Sequence, residues 1–172
     1  GNWNNYAESG FTEGSGVGGP AVELAGNTLQ TIACPGGEIF NILRYNKGGS
    51  STVQFNNPVT IKSLLDWSNN GPFDLNGNRL TILNPATNAI QNSAVAARYV
   101  ISEKTDNSSL VCWYTGTPAG DSVYVIPFGK TTGYLPVTVT VHAGAPIDTL
   151  VASTYGTASN NLPWPTSPVA VN

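Results

Sequence analysis

The sequence predicts an all-β protein, an antiparallel β-sandwich preceded by a short solenoid-like or irregular β region. Three observations carry that expectation. Short runs alternate apolar and polar residues with the period of two that a half-buried strand requires, most clearly in Tyr124-Val-Ile-Pro-Phe-Gly-Lys-Thr-Thr-Gly-Tyr-Leu-Pro-Val-Thr-Val-Thr-Val141. Gly, Asn and Pro clusters punctuate the runs at short, repeated intervals. Charged residues make up 10% of the 172 residues and hydrophobic residues 40%, a balance that favours a packed core over a disordered chain.

The first region, 1–85, is read as solenoid-like rungs. Its opening third is rich in Gly and Asn, and Gly14-Ser-Gly-Val-Gly-Gly-Pro20 reads as a loop, because clustered glycines cost too much entropy to hold in a strand. Strands are expected over 28–34, stopped by Pro35-Gly-Gly37, then over 38–45 and 52–55. A strand is also expected over 59–65, where Asn56-Asn-Pro58 and the β-branched residues argue against a helix. Residues 73–83 read as two β pieces around Asn76-Gly77, a dipeptide that takes positive φ at low cost. The pieces recur roughly every 10–20 residues, which suits a solenoid and also suits a sandwich.

The second region, 86–172, is read as the sandwich with a Pro-rich tail. Residues 86–97 are Ala-, Asn- and Ser-rich and are expected to carry one helical turn. Strands follow over 98–102, 109–114, 122–128, 136–142 and 149–155, at spacings of roughly 8–14 residues, as in antiparallel sandwiches. Residues 160–168 are extended by their prolines, and 169–171 read as the start of a further strand whose continuation is absent.

Composition narrows the chemistry. A net charge of −3 with only 7 scattered Lys and Arg offers no stripe to neutralise a phosphate backbone, so no nucleic-acid partner is expected. No apolar run approaches the roughly 18 residues of a span, so no membrane insertion is expected. The lack of Met suggests a chain processed after export, or a piece of a longer protein. Export makes a disulfide between Cys34 and Cys112 plausible, with two buried thiols as the alternative. Neither cysteine lies in a C-x-x-C pair and there is 1 His, so no zinc site is expected.

No catalytic constellation emerges. His142 ends an alternating strand, no G-x-S-x-G elbow exists, and the residue reads as a rim position. The Asp and Glu residues are spread as a solvated surface would have them, with no motif for a glycosidase pair. Asp74-Leu-Asn-Gly-Asn78 alternates oxygen ligands as calcium loops do, but lacks a later bidentate Glu, and a turn explains it without a metal. Gly14 to Gly19 is followed by no Lys and is not a phosphate loop. Asn107-Ser-Ser109 reads as a turn. Catalytic residues, cofactors and metals are therefore all expected to be none. Of the four tryptophans, Trp113 or a neighbour is core, whereas Trp3 and Trp164 are candidate contacts for a glycan or a partner.

Asp74-Leu-Asn-Gly-Asn-Arg-Leu-Thr-Ile82 resembles a rung of the β-strand-repeat, adhesin-like surface proteins of Bacteroidetes-type bacteria. Arg98-Tyr-Val-Ile101, Ser109-Leu-Val111, Val125-Ile-Pro-Phe-Gly129 and Tyr134-Leu-Pro-Val-Thr-Val139 are similar, in order and spacing, to the module that follows it, and Pro168-Val-Ala-Val-Asn172 to the approach to that module's last strand. Gly1-Asn-Trp-Asn-Asn5 is similar to the opening of the repeat region. The resemblance covers most of 70–172. It implies an exported, extracellular or cell-surface protein with a role in adhesion, matrix or appendage structure, and no catalytic residues. The expected partners are copies of itself or neighbouring domains of a longer surface protein. A polysaccharide is the alternative, with the chain acting as a carbohydrate-binding module of a secreted protein. The physical motive for self-association is an incomplete sheet, whose unpaired backbone groups another subunit can fill as an open filament.

Overall fold

The computed structural model describes residues 1–5, 20–103 and 108–154. All of their regular structure is β, and none is helical. The strands alternate between two sheets. β1 (Trp3–Asn4), β3 (Gln30–Ala33), β5 (Val53–Phe55), β7 (Gly71–Asp74) and β10 (Arg98–Ile101) form the first, in that order. β2 (Ala21–Gly26), β4 (Glu38–Lys47), β6 (Val59–Trp67), β8 (Arg79–Ile82) and β11 (Leu110–Tyr114) stack in order in the second, with β9 (Ile90–Gln91) also pairing with β6. Every pairing among these strands is parallel. The chain therefore winds in coils, each giving one strand to each sheet. Adjacent coils from β2 to β8 are offset by roughly 20–23 residues, the repeat length of a solenoid.

Columns of equivalent side chains fill the space between the sheets. In the second sheet Leu24, Tyr45 and Trp67 stack in register, as do Phe40, Ile61, Ile82 and Trp113. From the first sheet Val53, Phe73 and Val100 line up against them. Nearly all are fully buried. Phe73 is the hub, with the rings of Trp67, Tyr45 and Phe55 at 5.1, 5.6 and 5.8 Å. Such contacts add to the apolar area each coil removes from water on its neighbour.

The corners use the polar residues that the sequence marks as turns. Asn76 and Gly77 both have positive φ, but they turn the chain from one sheet to the other, and β7 and β8 do not pair with each other. Asn78 Nδ2 donates to Phe55 O (2.8 Å) and Asn84 Nδ2 to Ser63 O (2.8 Å), tying each corner to the coil beside it.

The C-terminal part differs from the antiparallel sandwich expected over 86–172. The parallel coils continue past residue 85 into β10 and β11, because Val100 and Trp113 extend the columns begun by Phe73 and Ile82. Residues 86–97 hold β9 and turns, closed by Ala89 N–H to Ala86 O (3.0 Å), in place of a helical turn. Antiparallel pairing among the described residues is confined to three places. β12 (Ser122–Ile126) pairs with β15 (Val137–Val141), β13 (Gly129–Lys130) with β14 (Gly133–Tyr134), and β16 (Thr149–Ala152) with β11. The β12–β15 ribbon lays Tyr124, Ile126 and Val141 on the core, and the Tyr124 ring meets Trp113 edge-on at 5.1 Å.

Candidate functional site

The N-terminal end of the coils is closed by polar residues. Glu38 is aligned with Val59, Leu80 and Val111 along one inward column, and is 1% exposed. Its Oε2 accepts from Trp3 Nε1 (2.7 Å) and Asn5 Nδ2 (2.9 Å), and its Oε1 from Ile39 N–H (3.1 Å). Trp3 also sets its ring edge-on to Phe40 at 5.5 Å. At the opposite end of β4, the buried Lys47 ammonium donates to Thr28 O (2.6 Å) and Gln30 Oε1 (2.9 Å), and burial pushes its pKa down. Trp3 is thus half-buried and spends its N–H on closing the core. Trp67 and Trp113 lie fully inside. Trp164, the glycine-rich loop before residue 20, Asn107 and the tail from 155 lie outside the described residues.

The two cysteines are buried and not bonded to each other. Cys34 sits at the corner leading into β4, and Cys112 lies in β11, three strands further along the second sheet. At about 4.8 Å per strand this separation exceeds the roughly 7 Å that a disulfide spans, so the bridge weighed on the sequence is not made. Burial pushes the Cys112 thiol pKa up.

His142 stands on the open surface, its side chain 76% exposed, with Nδ1 3.0 Å from Asp121 Oδ2. The Ala143 N–H, and after it His142, hold the Asp121 carboxyl below its usual range. The oxygens of the calcium-like segment are used in the turn itself: Asp74 Oδ1 accepts from Asn76 N–H (2.9 Å), and Asp74 Oδ2 from Gln54 Nε2 (3.2 Å). Among the described residues, no group of three or more His, Cys, Asp and Glu is placed to hold a metal ion.

Two features of the surface remain. The first is a groove of about 370 Å³ on the outer face of the first sheet. Pro72 and Tyr99 line it from the sheet, and Lys130, Thr131 and Tyr134 from the β13–β14 hairpin. Burial raises the pKa of both tyrosines. The sequence reading places no strand between 128 and 136 and so misses this wall; the only signal is the Lys and Tyr beside the glycines.

The second feature is a sheet edge that no strand of the described residues covers. Thr115 N–H donates to Asp148 O (2.8 Å), so by the antiparallel alternation Leu150 and Ala152 direct their backbone groups to β11, and Thr149 and Val151 direct theirs outward. Beyond β16 the second sheet has no further strand among the described residues, and Val151 is 59% exposed. The β12–β15 ribbon likewise has no third strand among them, and Val123 and Val125 are exposed on it.

Comparison with protein-family models, with curated proteins and with solved structures finds no match. No helix of the described residues is long and apolar enough to cross a membrane.

Proposed function

We propose that this chain is a non-enzymatic structural and adhesive element of an extracellular surface, joining copies of itself or neighbouring domains by β-strand addition. The observation that carries the reading is the outer edge of β16. It is built of Thr149, Leu150, Val151 and Ala152, without the Lys, Pro or bulge that proteins use to blunt an edge. Behind it lies a stack of in-register strands, a stiff template for one more. A strand added there continues the antiparallel pairing begun by β11 and β16, and so completes the antiparallel layer expected of the C-terminal part. Where the added strand comes from a different surface of the next copy, the assembly is an open filament and not a closed ring. The resemblance to bacterial surface repeats agrees with this role and with export to the cell surface.

Negative-stain microscopy with sizing on native, never-refolded protein tests the reading. Filaments or ladders are the expected result. A homogeneous monomer that persists at high concentration would overturn it.

A further inference from the structure

We propose that the groove on the outer face of the first sheet binds a neutral sugar unit of a polysaccharide, a property independent of whether copies of the chain assemble. The groove is preformed. Gly129 lies so close to Tyr99 that a Cβ there would sit 2.7 Å from the ring's Cγ. Tyr134 Oη donates to Ser93 O (2.9 Å), Val100 N–H to Pro127 O (2.8 Å) and Leu135 N–H to Phe128 O (2.8 Å), so the hairpin wall is pinned at both strands and at its base. The space is kept open by small residues, Ser50, Gly71, Ala96, Ala97 and Gly133, and its volume falls in the roughly 300–1,000 Å³ range of small-ligand sites.

The lining is amphipathic in the way a pyranose is. Pro72 and the tyrosine rings offer apolar surface for the C–H face of a sugar, and the hydroxyls of Ser50 and Thr131 with the Lys130 ammonium can meet its hydroxyl rim. The ligand's neutrality follows from Glu103. Its Oε1 lies 3.7 Å from Lys130 Nζ, is buried, and has no hydrogen bond of its own. The carboxylate balances the ammonium, so the groove presents a fixed donor with little net charge and gives an anion no advantage. A peptide is disfavoured because β10 offers it no free edge. One side of β10 pairs with β7, and the other is bridged at Val100 by Phe128.

The test is calorimetric titration of the full chain with cellotetraose, xylotetraose, mannotetraose and N-acetylchitotetraose, with tetragalacturonate as the anionic comparator and sizing run on the same samples. At least one neutral oligosaccharide is expected to bind saturably at up to millimolar concentration. Thr131→Trp, on an exposed loop and directed at filling the groove, is expected to weaken it by at least about tenfold with its thermal midpoint unchanged, and Lys130→Ala to weaken it less while lowering the midpoint, because it leaves the buried Glu103 oxygen unpaired. No saturable binding of any neutral sugar, a preference for the galacturonate, or binding undiminished in Thr131→Trp would each overturn the site. Filaments without sugar binding would remove this site and leave the assembly reading standing, and a sugar-binding monomer would do the reverse.

Discussion

Glu38 stands in a column where the later coils place Val59, Leu80 and Val111, and the exchange is what ends the core at the N-terminal side. A buried carboxylate is tolerable only when its oxygens are occupied, and here Trp3, Asn5 and the Ile39 N–H occupy them. Glu38→Ala therefore removes one partner from several donors, the Trp3, Asn5 and Ile39 N–H groups, at once. It is expected to destabilise the fold by about 2–4 kcal/mol and to loosen β1, read by urea denaturation and by a red shift of Trp3 emission. Glu38→Gln keeps the shape and one acceptor oxygen, and should lose less. The alternation of the sequence gives no hint of this cap. Within Glu38-Ile-Phe-Asn41 the charged residue points in and Ile39 is exposed, the reverse of what polarity predicts. Tyr45 makes a second residue-scale case. Burial, and after it the neighbouring Tyr99, push its pKa up to about 12. An unfolded tyrosine ionises near 10, so between these values the unfolded state binds fewer protons and stability falls as pH rises. The contribution is whole below pH 10 and is lost by pH 12, on the order of 2–3 kcal/mol for this one group. Denaturation midpoints that stay level from pH 9 to about 12 would contradict it.

At the scale of elements, the strands are legible and their partners are not. Period-two alternation locates β3 to β8, β10 to β12, β15 and β16 to within a few residues of the expected runs. It says nothing of which strands pair, because an antiparallel meander and a two-sheet coil space their strands alike. The difference lies in the corners. Asn76-Gly77 has the positive-φ geometry that closes hairpins, yet here it passes the chain to the opposite sheet. Pairing between coils is fixed by side chains more than twenty residues apart, such as Ile61 and Ile82, and no local pattern reports it. The groove over Tyr99 is hidden for a related reason. Tyr99 is an ordinary outward position of a strand until the hairpin closes over it. Coil-to-coil fit also sets what an element tolerates at its joints. Gly71 begins β7 at φ 147° with the Tyr45 hydroxyl lying where its Cβ would be. Gly71→Ala should force Tyr45 off its bond to Ser51 O and cost at least about 2 kcal/mol, seen as a drop in thermal midpoint. A midpoint within error of the parent would mean that the corner yields more easily than its packing implies.

For the whole molecule, the two ends of the coil are treated differently. The first end is sealed by β1 and by polar groups at the two ends of β4, Glu38 with Trp3 at one and Lys47 with Gln30 at the other, with Gln30 Nε2 reaching Gly1 O at 2.5 Å. The other end is sealed over the core by the β12–β15 ribbon, but leaves the β16 edge uncharged and unpaired among the described residues. A coil that buried both ends completely would gain nothing from a second copy, whereas one that seals its core and leaves a backbone edge open can grow without exposing apolar surface. This asymmetry gives a sharp prediction. Val151 is exposed, so Val151→Lys should change monomer stability by no more than about 0.5 kcal/mol, while the added charge on the edge suppresses strand addition. Sizing and microscopy should then show the parent assembling and the variant not, at matched concentration and low salt. Val123→Lys serves as the comparator, since it places the same charge on the exposed ribbon and leaves β16 untouched. Loss of filaments in Val151→Lys alone identifies β16 as the growing edge. Loss in Val123→Lys alone moves the contact to the ribbon, and filaments surviving both substitutions would mean that neither edge carries the assembly.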